Sequence, residues 1–407
     1  MRVSSAREKD TGSAQLEFEL LVCCARPSPT DDVRTEIRRR VALRVDWAFL
    51  IRLAARHNLL PLLGWNLSTI CPKLVPESVL RRLEENLSAV AGHNLCLTSE
   101  LHRIIKVFQA CSIPLATFKG PTLACLAYKN IALRPFEDLD LLIHRNDVLR
   151  ARDALASIGY RLPSPLDRPG VLLLSEYAFP FVKQGARPVH IDLHCEIAPW
   201  FFSFPLDTVE LIKRVVQVPL PGGIVPSLVL EDLILVLCVH GTKHLWSCLE
   251  SVASLAGIIN ATPQLCWDEI LTRAKDTGAE RMLLLGCVLA RDLFGASLPS
   301  IVDSAIGRDT RVGLLAAWVQ DRFVKPTNNL ETQTDAPWFH LKCRERFGDR
   351  FRYLARGVLS PEIDDVRCLT LPTSLSPVYR LLHPARILSA YTRSTVQRIL
   401  SFAKASE

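Results

Sequence analysis

Apolar residues recur at helical spacing from about residue 15 to residue 109, as in VDWAFLIRLAARHNLLPLLGWNL (45–67) and VLRRLEENLSAVAGHNLCLTSELHRIIKVF (79–108). Breaks fall at RPSPTDD (26–32) and CPKLVPES (71–78), so the chain is expected to open as an all-helical region over residues 1–110. Its His57 and His93 read as core or surface histidines. The period then changes. Short β-rich runs, IPLATF (113–118), FEDLDLLI (136–143), EYAFPFV (176–182) and PVHIDLHCEI (188–197), alternate with helical stretches near 120–129 and 146–158. This predicts a compact α+β or mixed α/β unit with a mixed β-sheet over 111–220, flanked by helical regions on both sides.

After the turn LPGGIVPS (220–227), helical periodicity returns with LVLEDLILVLCVHGTKHLWSCLESVASLAGII and persists to about residue 324. This gives a helical C-terminal domain over 221–324. A basic, proline-containing tail over 325–407 is expected to pack on the core. It holds CRERFGDRFRYLARG (343–357), which reads as an amphipathic helix with a solvated face rather than a membrane or nucleic-acid helix.

With 407 residues, 49% of them hydrophobic and 22% charged, the chain can bury a sizeable core. A net charge of +7 suits a polyanionic ligand but falls short of a dedicated nucleic-acid binder, so no nucleic-acid partner is expected. Thirteen cysteines without CxxC pairs read as free thiols of a reducing compartment. The first residues lack the apolar core of a signal peptide, and the longest apolar runs are far shorter than the ~20 residues of a membrane span. A cytoplasmic protein without a membrane partner is the expectation.

The charge pattern of FEDLDLLI brings in chemistry. In a strand, Asp138 and Asp140 point to one face while Leu139, Leu141 and Ile143 point to the other. Two neighbouring carboxylates repel, and a divalent cation between them offsets that cost. In VHIDLH, His190, Asp192 and His194 share one face, so Asp192 can join the pair if the strands are neighbours. Upstream, PLATFKG reads as a strand ending in a Lys119-Gly120 turn that opens a helix, whose backbone N–H groups and dipole favour phosphate. In that order, a phosphate-receiving turn and three acids compose a two-metal nucleotidyl-transfer site.

These residues resemble the polymerase-beta-like nucleotidyltransferase superfamily, and within it a bacterial branch of uncharacterised nucleotidyltransferases. The matching positions are Lys119-Gly120, Tyr128, Arg134, Asp138-Leu139-Asp140-Leu141-Leu142 and Ile191-Asp192-Leu193-His194, and the likeness continues through LEDLILVLCVHGTKHLW and LPTSLSPVYRLLHPARIL. The chain departs from the pattern at Pro121, and at Ser251 and Ser254, where a Trp and an Asp are expected. The resemblance implies a nucleotidyltransferase core in which Asp138, Asp140 and Asp192 are catalytic and hold two Mg²⁺ ions. It further implies that Lys119, Gly120, Arg134, His240 and Lys243 bind the nucleotide, with Arg134 as ready to pin its loop to a core acid. The co-substrate would be an NTP such as ATP, and the acceptor an unknown small molecule, peptide or protein. His240 and His244, four apart on a helix, could alternatively ligate a metal. A non-catalytic nucleotide-binding or antitoxin-like interaction protein that keeps the fold is the competing reading.

Overall fold

The computed structural model describes residues 4–164, 177–202, 204–324, 329–360, 365, 378–384 and 386, with backbone alone for 4–13 and 329–334. Five helices open the chain: α1 (Ser4–Cys24), α2 (Asp31–Val41), α3 (Trp47–Arg56), α4 (Leu60–Ile70) and the long α5 (Glu77–Ala110). Local signals set their ends. Asp46 caps α3 by accepting from the Phe49 N–H at 2.9 Å, and Pro61 sits in the first turn of α4, where its missing N–H costs no helical bond. His57 fastens this region to the C-terminal helices. Its Nε2 donates to the Phe323 carbonyl at 2.9 Å while its Nδ1 accepts from the Leu249 N–H at 3.3 Å. Buried between these partners, it is held at about 4, below the usual range, because burial penalises the imidazolium.

Six strands follow: β1 (Leu115–Thr117), β2 (Asp138–Ile143), β3 (Ala178–Lys183), β4 (Val189–His194), β5 (Val216–Leu220) and β6 (Gly223–Ser227). They form one mixed sheet in the order β3-β4-β2-β1-β6-β5. The neighbours β2 and β4 run parallel, as do β1 and β6, while β1 runs antiparallel to β2 and β3 antiparallel to β4. Helices α6 (Gly120–Tyr128), α7 (Val148–Ser157) and α8 (Thr208–Lys213) lie between strands. On one sheet face, Leu139, Leu141, Ile143, Phe179, Ile191 and Leu193 share a core with Ile104 and Phe108 of α5 and Leu155 of α7. The other face carries the polar positions and is roofed by later helices.

The run LPGGIVPS is more than a turn. Only its tip, Pro221–Gly222, turns the chain; the rest closes a β5–β6 hairpin that docks on β1 through Thr117 and Ser227. The expected core boundary at residue 220 therefore falls inside a hairpin of the sheet. Eight helices complete the described chain: α9 (Leu230–Lys243), α10 (Leu249–Ala261), α11 (Trp267–Thr277), α12 (Glu280–Phe294), α13 (Ser300–Arg308), α14 (Thr310–Val324), α15 (Asn329–Lys342) and α16 (Phe347–Leu359).

The basic aromatic stretch forms α16. It buries Asp349 and Tyr353 and leaves Phe347 and Phe351 exposed to 81% and 65%. The Tyr353 hydroxyl meets His340 Nδ1 at 2.9 Å, and His340 Nε2 donates to the Lys243 carbonyl at 3.0 Å, so α15 and α16 hold the end of α9. Most of the tail from 361 onward, including LPTSLSPVYRLLHPARIL in large part, lies outside the described residues.

Candidate active site

Alternation along β2 and β4, with parallel in-register pairing, decides where the acids go. Asp138 pairs with His190, Asp140 with Asp192, and Leu142 with His194, all at the same parity. Asp138, Asp140 and Asp192 therefore stand on one face of adjacent strands, and all three line the same cleft. Leu139, Leu141, Ile191 and Leu193, pointing the other way, are at most 1% exposed and anchor both strands from behind.

Asp140 is the best-held of the three. Its Oδ1 accepts from Lys119 Nζ at 3.0 Å and from His194 Nε2 at 3.0 Å. Both donors fall on the same oxygen, which orients the carboxylate and leaves Oδ2 unengaged by either. Burial works against the Asp140 anion, but Lys119 and then His194 outweigh it and hold the carboxyl below its usual range. Asp138 goes the other way, pushed up to about 6 by burial and then by the Asp140 charge. Asp140, Asp192 and His194 each offer one ligand atom within 4.8 Å of the others, a group able to hold a metal ion. Two carboxylates at its heart suit a hard divalent cation.

The expected strand-to-helix turn at Lys119-Gly120 is present. Gly120 opens α6 at φ +53°, a left-handed conformation that suits glycine, and an added Cβ would meet the Asp138 carbonyl at 3.4 Å. Pro121 occupies the first turn of α6, where a proline is tolerated. The Thr122 hydroxyl, one residue on, pairs with Thr117 on β1 at 2.8 Å and fixes the helix start to the strand end.

The facing wall comes from α9. His240, Lys243 and His244 line the cleft, which has a volume of about 530 Å³. Lys243 is lowered to about 8 by burial and by the Lys119 charge, and its Nζ donates to the Tyr177 hydroxyl at 2.9 Å. The rings of His240 and His244 lie 4.4 Å apart, and both are held below the usual histidine range, chiefly by burial. The bend after α9 is tight. Leu245 and Trp246 have φ of +57° and +50°, and the Trp246 indole lies where a Cβ on Gly241 would be only 2.7 Å away.

Arg134 lines the same cleft, paired with another of its lining residues. Its Nε donates to Glu250 Oε1 at 2.8 Å, and its Nη1 is buried without a partner. Glu250 also receives the hydroxyls of Ser254 and Tyr128, with Tyr128 and Ser254 themselves 3.0 Å apart. Of the two roles open to Arg134, the structure shows the pin to a core acid. Sequence reasoning passed over Tyr177, the hydrogen bonds of His194, and Glu250. Only the strand parity of His194 pointed toward the site; Glu250 lies 116 residues from Arg134 and looks like any helix-start acid.

A family described as uncharacterised nucleotidyltransferase matches residues 44–295, well over half of the chain and every residue of the cleft. No curated protein matches the sequence.

Proposed function

The chain belongs to this uncharacterised nucleotidyltransferase family, and from that premise we propose that it transfers a nucleoside monophosphate from an NTP to an acceptor hydroxyl, or a similar group, with release of pyrophosphate. The observation that carries the reading is the in-register Asp140–Asp192 pair with Asp138 two residues away on the same face. Asp138, Asp140 and Asp192 would hold two Mg²⁺ ions, which when bound neutralise triphosphate charge and make a coordinated hydroxyl more acidic. Lys119 and His194 keep the Asp140 carboxylate aimed through Oδ1.

The start of α6 receives the phosphates. Gly120, which lines the cleft, lets the backbone approach, and the positive end of the α6 dipole lies behind it. From the other wall Lys243 supplies positive charge and His240 a neutral ring nitrogen. The acceptor would be a small molecule, a peptide or a protein side chain. Twelve cysteines among the described residues are free, which agrees with a cytoplasmic protein. A non-catalytic nucleotide-binding or antitoxin-like role draws support from one feature, the donor lost at Pro121.

Calorimetry of ATP and the other NTPs, with and without Mg²⁺, on wild type and Lys119→Ala tests the nucleotide half of the proposal. Metal-dependent binding, weakened about tenfold in the variant, is expected, in keeping with loss of a charge-assisted contact. Equal affinity in all four conditions removes it.

A further inference from the structure

A second cavity, of about 480 Å³, lies at the opposite end of α6 from the Gly120 turn. Its size falls within the ~300–1,000 Å³ of ordinary small-molecule sites. Small residues open it: Ala127 on α6 and Ala253, Ala256 and Gly257 on α10 form a smooth apolar wall. That wall is rigid, because a Cβ on Gly257 would sit 2.6 Å from the Ala127 carbonyl, so the two helices touch backbone to backbone.

Two cations, Arg26 and Lys129, line the cavity, and no acid does. Arg26 Nη2 donates to the Leu293 carbonyl at 3.3 Å, which accounts for one guanidinium nitrogen, but its Nε is buried without a partner. Neither cation takes part in an ion pair among the described residues. Lys129 is held at φ +54°, a conformation uncommon for a lysine, at the end of α6. A buried donor without an acceptor, next to unneutralised positive charge and apolar walls, calls for an anion on an apolar body.

We propose that this cavity is an effector site for a small apolar carboxylate, seated on the alanine-glycine wall with its acid group against Arg26 and Lys129. Its influence reaches the nucleotide cleft by two routes. Tyr128 forms part of the cavity wall, and its hydroxyl joins Glu250, the residue that holds Arg134 in the cleft. Helix α6 is also a single nine-residue element, ~13 Å long, with the cavity at one end and the phosphate turn at the other. This coupling rests on the nucleotidyltransferase reading; the binding itself does not.

Calorimetry on the full chain with 1-naphthoate, 1-naphthalenemethanol and 1-naphthylmethylamine separates anion from neutral body and cation. Saturable binding of naphthoate alone is expected, weakened about tenfold or more in Arg26→Gln and in Lys129→Gln. Ala261→Trp, at an exposed lining position, should block it too while leaving the melting transition intact. Saturating naphthoate should change the affinity for Mg²⁺·NTP at least threefold. No saturable binding, equal binding of the amine, or binding untouched in all three variants overturns the site. Naphthoate binding with unchanged nucleotide affinity overturns the effector role. If nucleotide fails to bind with or without naphthoate, the nucleotidyltransferase reading and the effector role fall together, and the naphthoate titrations alone decide the site.

Discussion

Replacing Arg134 by methionine tests whether it is chiefly a pin or chiefly a phosphate ligand. The Arg134 and Glu250 side chains are only 12% and 6% exposed, and their atoms meet at 2.8 Å. Removing the guanidinium strands the Glu250 carboxylate in the core with two hydroxyl donors in place of a countercharge. Breaking a buried pair in this way costs ~3–5 kcal/mol. An unfolding entropy of ~2.1 cal/mol/K per residue gives about 0.85 kcal/mol/K for a chain of this length, so a loss of ~4 kcal/mol lowers Tm by about 5 °C. The double variant Arg134→Met/Glu250→Met should recover more than half of that, because no buried charge is left unpaired. Differential scanning calorimetry of wild type, both single variants and the double variant measures each value. A Tm for Arg134→Met within 1 °C of wild type, or a double variant less stable than either single one, refutes the pinning argument.

Nucleotide affinity should fall as pH rises through the Lys243 value of about 8, becoming about tenfold weaker at pH 9 than at pH 7. Lys243→Arg should flatten the profile, and a wild-type profile level to pH 10 would exclude a phosphate contact by Lys243. At His57 the native state stays neutral to about 4 while the unfolded chain takes up a proton near 6.5, so stability is full above 6.5 and is lost as pH falls toward 4. The loss amounts to about 3 kcal/mol, and urea titrations at pH 7 and 4.5 should show a smaller drop in His57→Leu than in wild type. Gly120→Ala should cost about 1 kcal/mol of stability from the left-handed backbone, yet weaken Mg²⁺·NTP binding more than tenfold by placing a methyl group where the backbone approaches the phosphates. Unchanged calorimetric affinity would clear the turn of any role.

How much of this could be read in the sequence depends on how local each signal is. The facing of Asp138, Asp140 and Asp192 follows from a period of two within β2 and within β4, and needs only that the strands be in-register neighbours. The start of α6 was likewise legible from a strand running into Lys119-Gly120. The β5–β6 hairpin was not, because Pro219 and Pro226 interrupt strands too short to show alternation. Pro219 is accommodated because β5 is the edge strand, with a partner on one side only. The contact of Tyr177 with Lys243 spans 66 residues and that of Arg134 with Glu250 spans 116. No periodicity encodes such pairings; they arise when α9 and α10 roof the sheet. The exposed phenylalanines of α16 escaped for the opposite reason, since an amphipathic pattern gives the contrast between faces but not which face meets the core.

The central claim, that three acids on one sheet face run nucleotidyl transfer, is tested most directly by label transfer from α-labelled NTP to an acceptor panel that includes the protein itself. Wild type, Asp192→Asn and Asp140→Asn are compared, with Mg²⁺·NTP binding measured alongside. Asp192→Asn should slow transfer about a thousandfold, equivalent to ~4 kcal/mol of lost transition-state stabilisation, while leaving nucleotide binding largely intact. Asp140→Asn should damage both, because its carboxylate stands between the other two acids and carries the contacts of Lys119 and His194. Tight nucleotide binding by wild type without transfer to any acceptor, and with binding unaltered in both variants, would contradict the account and favour the non-catalytic reading.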